Sequence, residues 1–163
     1  MNSGDSGAAR FLPIGLDVRD RKCVVVGGGT IGSRKVLTLE RAGAIVTVVS
    51  PTVTEALAEQ ARERRIVWIG DEFSEEHLDG AFLIVAATND EALNASVTRL
   101  GSQRNALVCD ASSAERSQVI FGALLEVDET TIAVFTDGRD PARARRTRDE
   151  IADLVAARRN HSR

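Results

Sequence analysis

The chain has 163 residues, 43% of them apolar and 28% charged, with a formal net charge of -3. That length holds one compact domain with at most a small appendage, and the near-neutral charge gives no basis for nucleic-acid or membrane binding as the main activity. The longest unbroken apolar run, AFLIVAA at 81–87, is far too short to cross a bilayer.

In chain order, the opening MNSGDSGAAR is small and polar and reads as a flexible tail over 1–10 rather than a signal peptide, because it carries no apolar stretch. FLPIGLDV then alternates at Leu12, Ile14, Leu16 and Val18, the period of an extra edge strand. Runs rich in Val, Ile, Leu and Ala follow near 22–27, 44–50, 66–69, 82–87 and 106–110, and read as buried parallel strands. Helical patterns fill the gaps at 31–42, 53–64 and 90–104, with Val36, Leu39 and Ala42, and again Leu93, Val97 and Leu100, at helical spacing. The expected fold class is therefore α/β, a Rossmann-type doubly wound parallel sheet over 11–112.

After Asp110 the pattern changes. ASSAERSQ is a polar connector, VIFGALLEV and TTIAVFT read as a β-hairpin around DET, and a strongly charged helix begins near 140. Pro141 sits in its first turn, where a missing N–H has no consequence, and Asp140 can cap it. A hairpin over 113–139 and a helix over 140–163 are too small to hold a core alone and are expected to pack on another subunit.

Cys23 and Cys109 lie in separate apolar runs at no zinc-ligand or CxxC spacing, and read as reduced, buried thiols of a cytoplasmic protein. His77 and His161 have no partner at metal-ligand spacing, so no metal site is expected.

The chemistry-bearing motifs lie at the ends of the strands. VVVGGGTIG carries Gly27-x-Gly29-x-x-Gly32 after a strand and at the opening of a helix. Gly27 permits the tight turn, Gly28 and Gly29 let a pyrophosphate approach the backbone, and Gly32 lets helix and sheet pack closely. The N–H groups of the first turn, beginning at Thr30 and Ile31, would face the phosphates. The second strand ends at Ser50 and Pro51, where an acid would ordinarily bond the ribose. Ser50 and Thr52 offer hydroxyls instead, and nothing there repels a 2′-phosphate, so the residues leave NAD and NADP open. On the fourth strand Ala87 and Thr88 reach the carboxyl edge, where Thr88 reads as a cofactor contact and Asn89 equally as a helix cap. Asp110 ends the fifth strand on the same edge, as a proton acceptor or as a cap for the following turn. Between Arg139 and Arg148 stand five arginines and one acid. Guanidinium forks suit a polycarboxylate, although a solvated helix face is the ordinary explanation of such a run.

The ordered set Leu12-Pro13-Ile14, 24–29 (VVVGGG), Arg34-Lys35, Ala42-Gly43-Ala44, Ser50-Pro51, Ala86-Ala87-Thr88, Leu93-Asn94, Val108-Cys109-Asp110 and 136–148 resembles the precorrin-2 dehydrogenase family, the N-terminal part of siroheme synthases. The resemblance implies NAD-dependent oxidation of precorrin-2 to sirohydrochlorin in a cytoplasmic homodimer. In bifunctional members ferrous iron is then inserted, a lyase step. It assigns NAD contacts to Thr30, Ile31, Ser50, Pro51 and Thr52, and proton acceptance to Asp110. The eight carboxylates of the substrate give Thr136, Arg139, Arg143, Arg145 and Arg146 a binding role. The sequence departs from the pattern at Gly122 (usually Pro), Leu107 (usually Asn), and Asp137 and Asp140 (usually Gly and Ser), and its final helix is a shortened form of the family's helical region. Two other readings compete: a nucleotide-sensing Rossmann module without catalysis, and a tetrapyrrole chelatase without dehydrogenase activity. An acid at the end of the second strand and no Asp at the end of the fifth would favour the sensor; the intact glycine turn argues against the chelatase.

Overall fold

The five apolar runs all become strands in a computed structural model that describes residues 10–161, with side chains described through residue 158. β1 (Lys22–Gly28), β2 (Ile45–Val53), β3 (Val67–Ile69), β4 (Leu83–Ala86) and β5 (Leu107–Asp110) are parallel, in the order β3-β2-β1-β4-β5. Helices α1 (Thr30–Arg41), α2 (Glu55–Arg62) and α3 (Glu91–Gln103) lie between them in the chain. The central strands β1 and β4 read as apolar runs because both faces are covered: Val24, Val25, Ile84 and Val85 are fully buried, as is Val48 of β2, whereas Val67 and Trp68 of β3 are exposed. α1 turns Gly32, Val36 and Leu39 inward, and α3 turns Asn94, Val97, Thr98 and Leu100 inward, the spacing of one helical face. This is the Rossmann-type sheet, and its order reverses between β1 and β4, the switch point at whose carboxyl ends such sheets bind ligands.

A short 3₁₀ turn, Glu75–Leu78, precedes β4 and buries Leu78. His77 has a structural role in it, since its Nδ1 accepts the Ser74 N–H at 3.1 Å.

Three expectations change, and a fourth falls outside the described residues. The tail expected over 1–10 lies, but for Arg10, outside the described residues. The alternating segment after it forms no strand: Leu12 is 81% and Ile14 68% exposed, and of the four alternating residues only Val18 is buried. Apolar alternation makes a strand only where a neighbour offers an edge, and Pro13 has no N–H to give one. β2 runs on to Val53 rather than ending at Ser50, through a bulge described below. The first strand of the hairpin begins at Ala123 rather than near 119, because the N–H groups of Gln118 and Val119 both go to the Val108 carbonyl, at 2.9 and 3.1 Å.

The chain divides into two compact units, 15–119 and a second formed by 10–14 with 120–161. In the second, β6 (Ala123–Val127) and β7 (Thr130–Val134) form an antiparallel hairpin, and α4 (Pro141–His161) packs on it. The two-residue turn places Asp128 at φ 53°, a left-handed conformation that Asp tolerates. Gly122, where the resemblance has Pro, leaves room for the Phe135 ring, which an added Cβ would meet at 3.0 Å. Arg148 ties the helix to the hairpin by donating to the Leu124 carbonyl at 3.2 Å. Among the described residues of this unit, Ala144 is the one buried apolar side chain.

Candidate active site

The glycine turn is built for a ligand approaching the backbone. Gly27 stands at φ 111°, and an added Cβ would lie 2.4 Å from the Ala87 carbonyl, so β1 passes β4 too closely for any side chain. At Gly32 an added Cβ would come within 2.1 Å of the Gly27 carbonyl, which fixes how tightly α1 seats on its strand. Gly29, the N-cap of α1, differs: a Cβ there would meet nothing within 4 Å, no side chain caps the helix, and no acid stands in its first turn. The leading N–H groups of α1, with the positive end of its dipole, therefore face open space. These residues fit a dinucleotide pyrophosphate, the anion such a terminus binds.

Ser50, Pro51 and Thr52 sit beside this turn in a bulge. β1 and β2 pair Val26 with Val49 and then Gly28 with Val53, so residues 50–52 of β2 stand against Gly27 alone. A proline is tolerated there because the bulge needs no N–H from it. Pro51 and Thr52 are exposed and Ser50 half-buried. Two anchors hold the bulge: Thr54 N–H donates to the Gly28 carbonyl at 3.0 Å, and the Trp68 indole N–H donates to the Ser50 carbonyl at 2.9 Å. The position of the customary ribose acid is thus taken by a loop of two hydroxyls and a proline.

On the β4 edge, Ala87 is buried and its N–H donates to Val26 at 2.8 Å. The Thr88 hydroxyl lies within bonding distance of the Asp90 carbonyl and of Asn94 Oδ1, at 3.0 and 2.7 Å, and accepts the Asp90 N–H at 3.1 Å. It closes the turn into α3, which leaves its methyl group as the part of the side chain available to a cofactor. The cap of α3 is Asp90 rather than Asn89: its carboxylate accepts the N–H groups of Ala92 and Leu93 at 2.9 and 3.0 Å.

Asp110 is the buried carboxylate of the edge, its side chain 0% exposed. Oδ1 accepts the Ser112 N–H at 2.8 Å and the Ser112 hydroxyl at 2.5 Å; Oδ2 accepts Arg116 Nε at 2.6 Å. Burial alone would raise the Asp110 carboxyl, but the bonds from Ser112 and Arg116 outweigh it and hold it below the ordinary carboxylate range. Arg116 also reaches Glu91 at 3.2 and 3.3 Å. Asn94, 1% exposed, donates to the Thr88 carbonyl at 3.0 Å and to Ser112 Oγ at 3.2 Å. A continuous polar chain therefore runs Thr88–Asn94–Ser112–Asp110–Arg116–Glu91 along the carboxyl edge. Ser112, Arg116 and Glu91 are absent from the sequence reading, which treated 111–118 as a connector; the Asp-x-Ser spacing, the pattern of an Asx-turn, was the available signal.

Cys109 beside it is a free thiol raised to about 11 by burial, with Asp110 adding and Lys35 opposing; Cys23, also free, is raised to about 11 by burial. Lys35, on the inner side of α1, is lowered by burial. Among the described residues no group of three His, Cys, Asp or Glu is placed to hold a metal ion, and no helix is long and apolar enough to cross a membrane. A groove lined by Ala58, Arg62, Ile66, Val67 and Trp68 lies on the outside of α2 and β3 and includes none of the glycine-turn residues.

In the second unit, Arg139, Arg143, Arg145 and Arg146 are exposed. The Thr136 hydroxyl donates to the Asp140 carbonyl at 2.7 Å and accepts its N–H at 3.2 Å, shaping the entry to α4, while Asp140 Oδ1 caps the helix through the Arg143 N–H at 2.8 Å. Asp137 accepts the N–H groups of Arg10 and Phe11 at 3.1 and 3.0 Å and pairs with Arg139 at 3.6 Å. The backbone N–H of Arg10 is the main cause that holds its carboxyl below the usual range. Both extra acids of this loop thus have local partners.

The family model described as "Putative NAD(P)-binding" matches residues 14–123. A solved structure of SirC, a precorrin-2 dehydrogenase, is 30% identical, covers 88% of this chain and 71% of its own, and superposes with a TM-score of 0.77. A siroheme synthase from Methylobacillus flagellatus is 42% identical over 146 residues, covering 90% of this chain and 31% of the relative. Siroheme synthase 1 of Pectobacterium atrosepticum is 36% identical over 147 residues, with shares of 90% and 31%. The chain thus spans about a third of the length of these siroheme synthases.

Proposed function

The chain belongs to this NAD(P)-binding family, and from that premise we propose that it oxidises precorrin-2 to sirohydrochlorin with NAD. One observation carries the reading: an uncapped, glycine-lined helix terminus and a buried carboxylate share the carboxyl edge of one sheet. The likeness to SirC, whose name gives that activity, supports it.

Bound NAD supplies the hydride acceptor. The backbone of Gly27, Gly28 and Gly29 with the N–H groups of Thr30, Ile31 and Gly32 would hold its pyrophosphate; Ser50, Pro51 and Thr52 would line the ribose, with Ala87 and Thr88 beneath. Two hydrogens leave precorrin-2, one as hydride and one as a proton, and Asp110 is the carboxylate that would take the proton at its Oδ atoms. Thr136, Arg139, Arg143, Arg145 and Arg146 would meet the carboxylates of the macrocycle. That Ala144 is the one buried apolar side chain among the described residues of the second unit supports a homodimer formed through the hairpin and α4, and the two buried free thiols support a reducing compartment, the cytoplasm.

Purified protein mixed with precorrin-2 and NAD or NADP tests this by sirohydrochlorin absorbance and reduced nicotinamide. Turnover with NAD is expected; none with either cofactor, where a known dehydrogenase works, overturns the reading. Ferrous ion added to sirohydrochlorin tests iron insertion separately.

A further inference from the structure

Asp110 presents a difficulty for proton acceptance. Its side chain has no exposure, three donors already occupy its oxygens, and Oδ2 is closed by Arg116 at 2.6 Å. A base in that state neither touches a substrate nor holds a proton readily. Of the pair, Arg116 is the member that water reaches, at 31% exposure against 0%. Its other contacts are long: Glu91 at 3.2 and 3.3 Å, through a carboxylate 75% exposed, and Ser112 Oγ at 3.3 Å. An exposed pair of that kind exchanges easily with another carboxylate.

We propose that Arg116 is the positioning residue for Asp110: it keeps the carboxylate charged and closed in the free protein, and releases Oδ2 when a carboxylate of the substrate takes over the guanidinium. Arg116 lies in the 111–118 connector rather than in the arginine-rich stretch after 139, and it is the guanidinium that bonds Asp110 directly. Its planar fork turns Nε to Asp110 and both Nη atoms to Glu91, the geometry by which one guanidinium can trade one carboxylate for another. The charged and titratable groups that bear on Asp110 are Arg116 from the connector, Glu91 from the first turn of α3 behind it, Cys109 from its own strand, and Lys35 from α1 facing Cys109. Of these charged and titratable groups only Arg116 bonds the carboxylate; with that cation removed, burial is left opposed by the two bonds from Ser112, and Asp110 must titrate higher. The proposal rests on the dehydrogenase reading for its substrate, but not for the hold on Asp110.

The test compares Arg116→Gln and Arg116→Lys with the unaltered chain, after melting curves and NADH binding establish that each variant is folded. In Arg116→Gln the acid limb of kcat/KM for precorrin-2 should move up by about 1–3 pH units, and KM should rise while NADH affinity stays unchanged. Arg116→Lys keeps the positive charge and should restore the low acid limb, but not the KM, because an ammonium lacks the fork. A folded Arg116→Gln protein that loses activity by one factor at every pH, or keeps its acid limb, overturns the proposal, and so does Arg116→Lys if its limb matches that of Arg116→Gln. If the unaltered chain turns over no precorrin-2, the dehydrogenase reading fails instead. Carboxyl NMR titration of Asp110 in the ligand-free proteins then decides the hold: an upward shift in Arg116→Gln supports it, and no shift overturns it.

Discussion

The sheet unit and the hairpin unit obey opposite economies of burial. Between 15 and 119, valines and Ile84 on adjacent strands reach zero exposure, and the polar groups at the carboxyl edge bond one another from Thr88 to Glu91. The hairpin unit buries Ala144 and leaves Leu124, Leu154 and four arginines to solvent. The first unit pairs the polar groups of its carboxyl edge internally, and along that edge it presents an open helix terminus, the exposed bulge of Pro51 and Thr52, and the partly exposed guanidinium of Arg116. Among its described residues the second is short of core, and the proposed homodimer would supply the burial it lacks.

The sharpest way to break this contrast is within the glycine turn. Gly32→Ala pushes a Cβ to 2.1 Å from a backbone carbonyl that cannot move aside, and should destabilise the sheet unit by more than about 4 kcal/mol in urea unfolding. Gly29→Ala, with nothing within 4 Å, should leave stability within about 0.5 kcal/mol yet obstruct the phosphates, so that NADH titration shows at least a tenfold (~1.4 kcal/mol) weaker complex. Equal effects of the two would mean that the turn is structural and binds nothing.

Core truncation comes next. Ile84→Ala, at a fully buried site, should lose about 3 kcal/mol. Leu154→Asp, at a site 66% exposed, should change unfolding by no more than about 0.5 kcal/mol while shifting a dimer towards monomer in sedimentation. A large loss of stability in the isolated chain from Leu154→Asp would show that the hairpin unit has a core after all.

A smaller effect separates the units by pH. The folded Asp110 carboxyl lies below its unfolded value of about 3.9, so its interactions stabilise the fold above about pH 4, and that contribution disappears as pH falls through the folded value. The melting-temperature gap between the unaltered protein and Asp110→Asn should be widest at neutral pH and close below about pH 4. A gap that widens in acid would reverse the sign and remove Arg116 as the partner that matters. Smallest of all, Arg145→Gln with Arg146→Gln should raise the KM for precorrin-2 several-fold, more at low salt, with NADH binding and melting unchanged, since these exposed charges act through screened attraction. An unchanged KM at low salt would return the stretch to an ordinary solvated helix face.

Much of the sheet was legible along the chain. Val24 to Val26 and Leu83 to Ala86 are apolar without interruption, and Val46 to Val49 is broken by Thr47 alone, because both faces of these strands are covered. The glycine turn was legible too, since each glycine answers to a clash or an opening that can be named. The edge strand expected at 12–18 was not, because alternation says what a segment would bury and not whether a neighbour is there to bury it. Thr88 was read as facing a cofactor, yet its hydroxyl closes a turn with Asn94, six residues on. Arg116 looked like one more charge in a polar connector, and Ser112 like one more small residue.

By itself, then, the sequence determined the parallel sheet, the phosphate turn and the position of Asp110 at a strand end. Those features depend on periodicity and on backbone conformations that few residues can adopt. The tertiary structure alone decided the bulge that puts Ser50, Pro51 and Thr52 beside Gly27, the closure of Asp110 by Arg116, and the exposure of the hairpin unit. Each of these depends on which groups meet across strands and loops, and, beyond a local pattern such as Asp-x-Ser, a polar side chain gives no sign in the sequence of the partner that folding will supply.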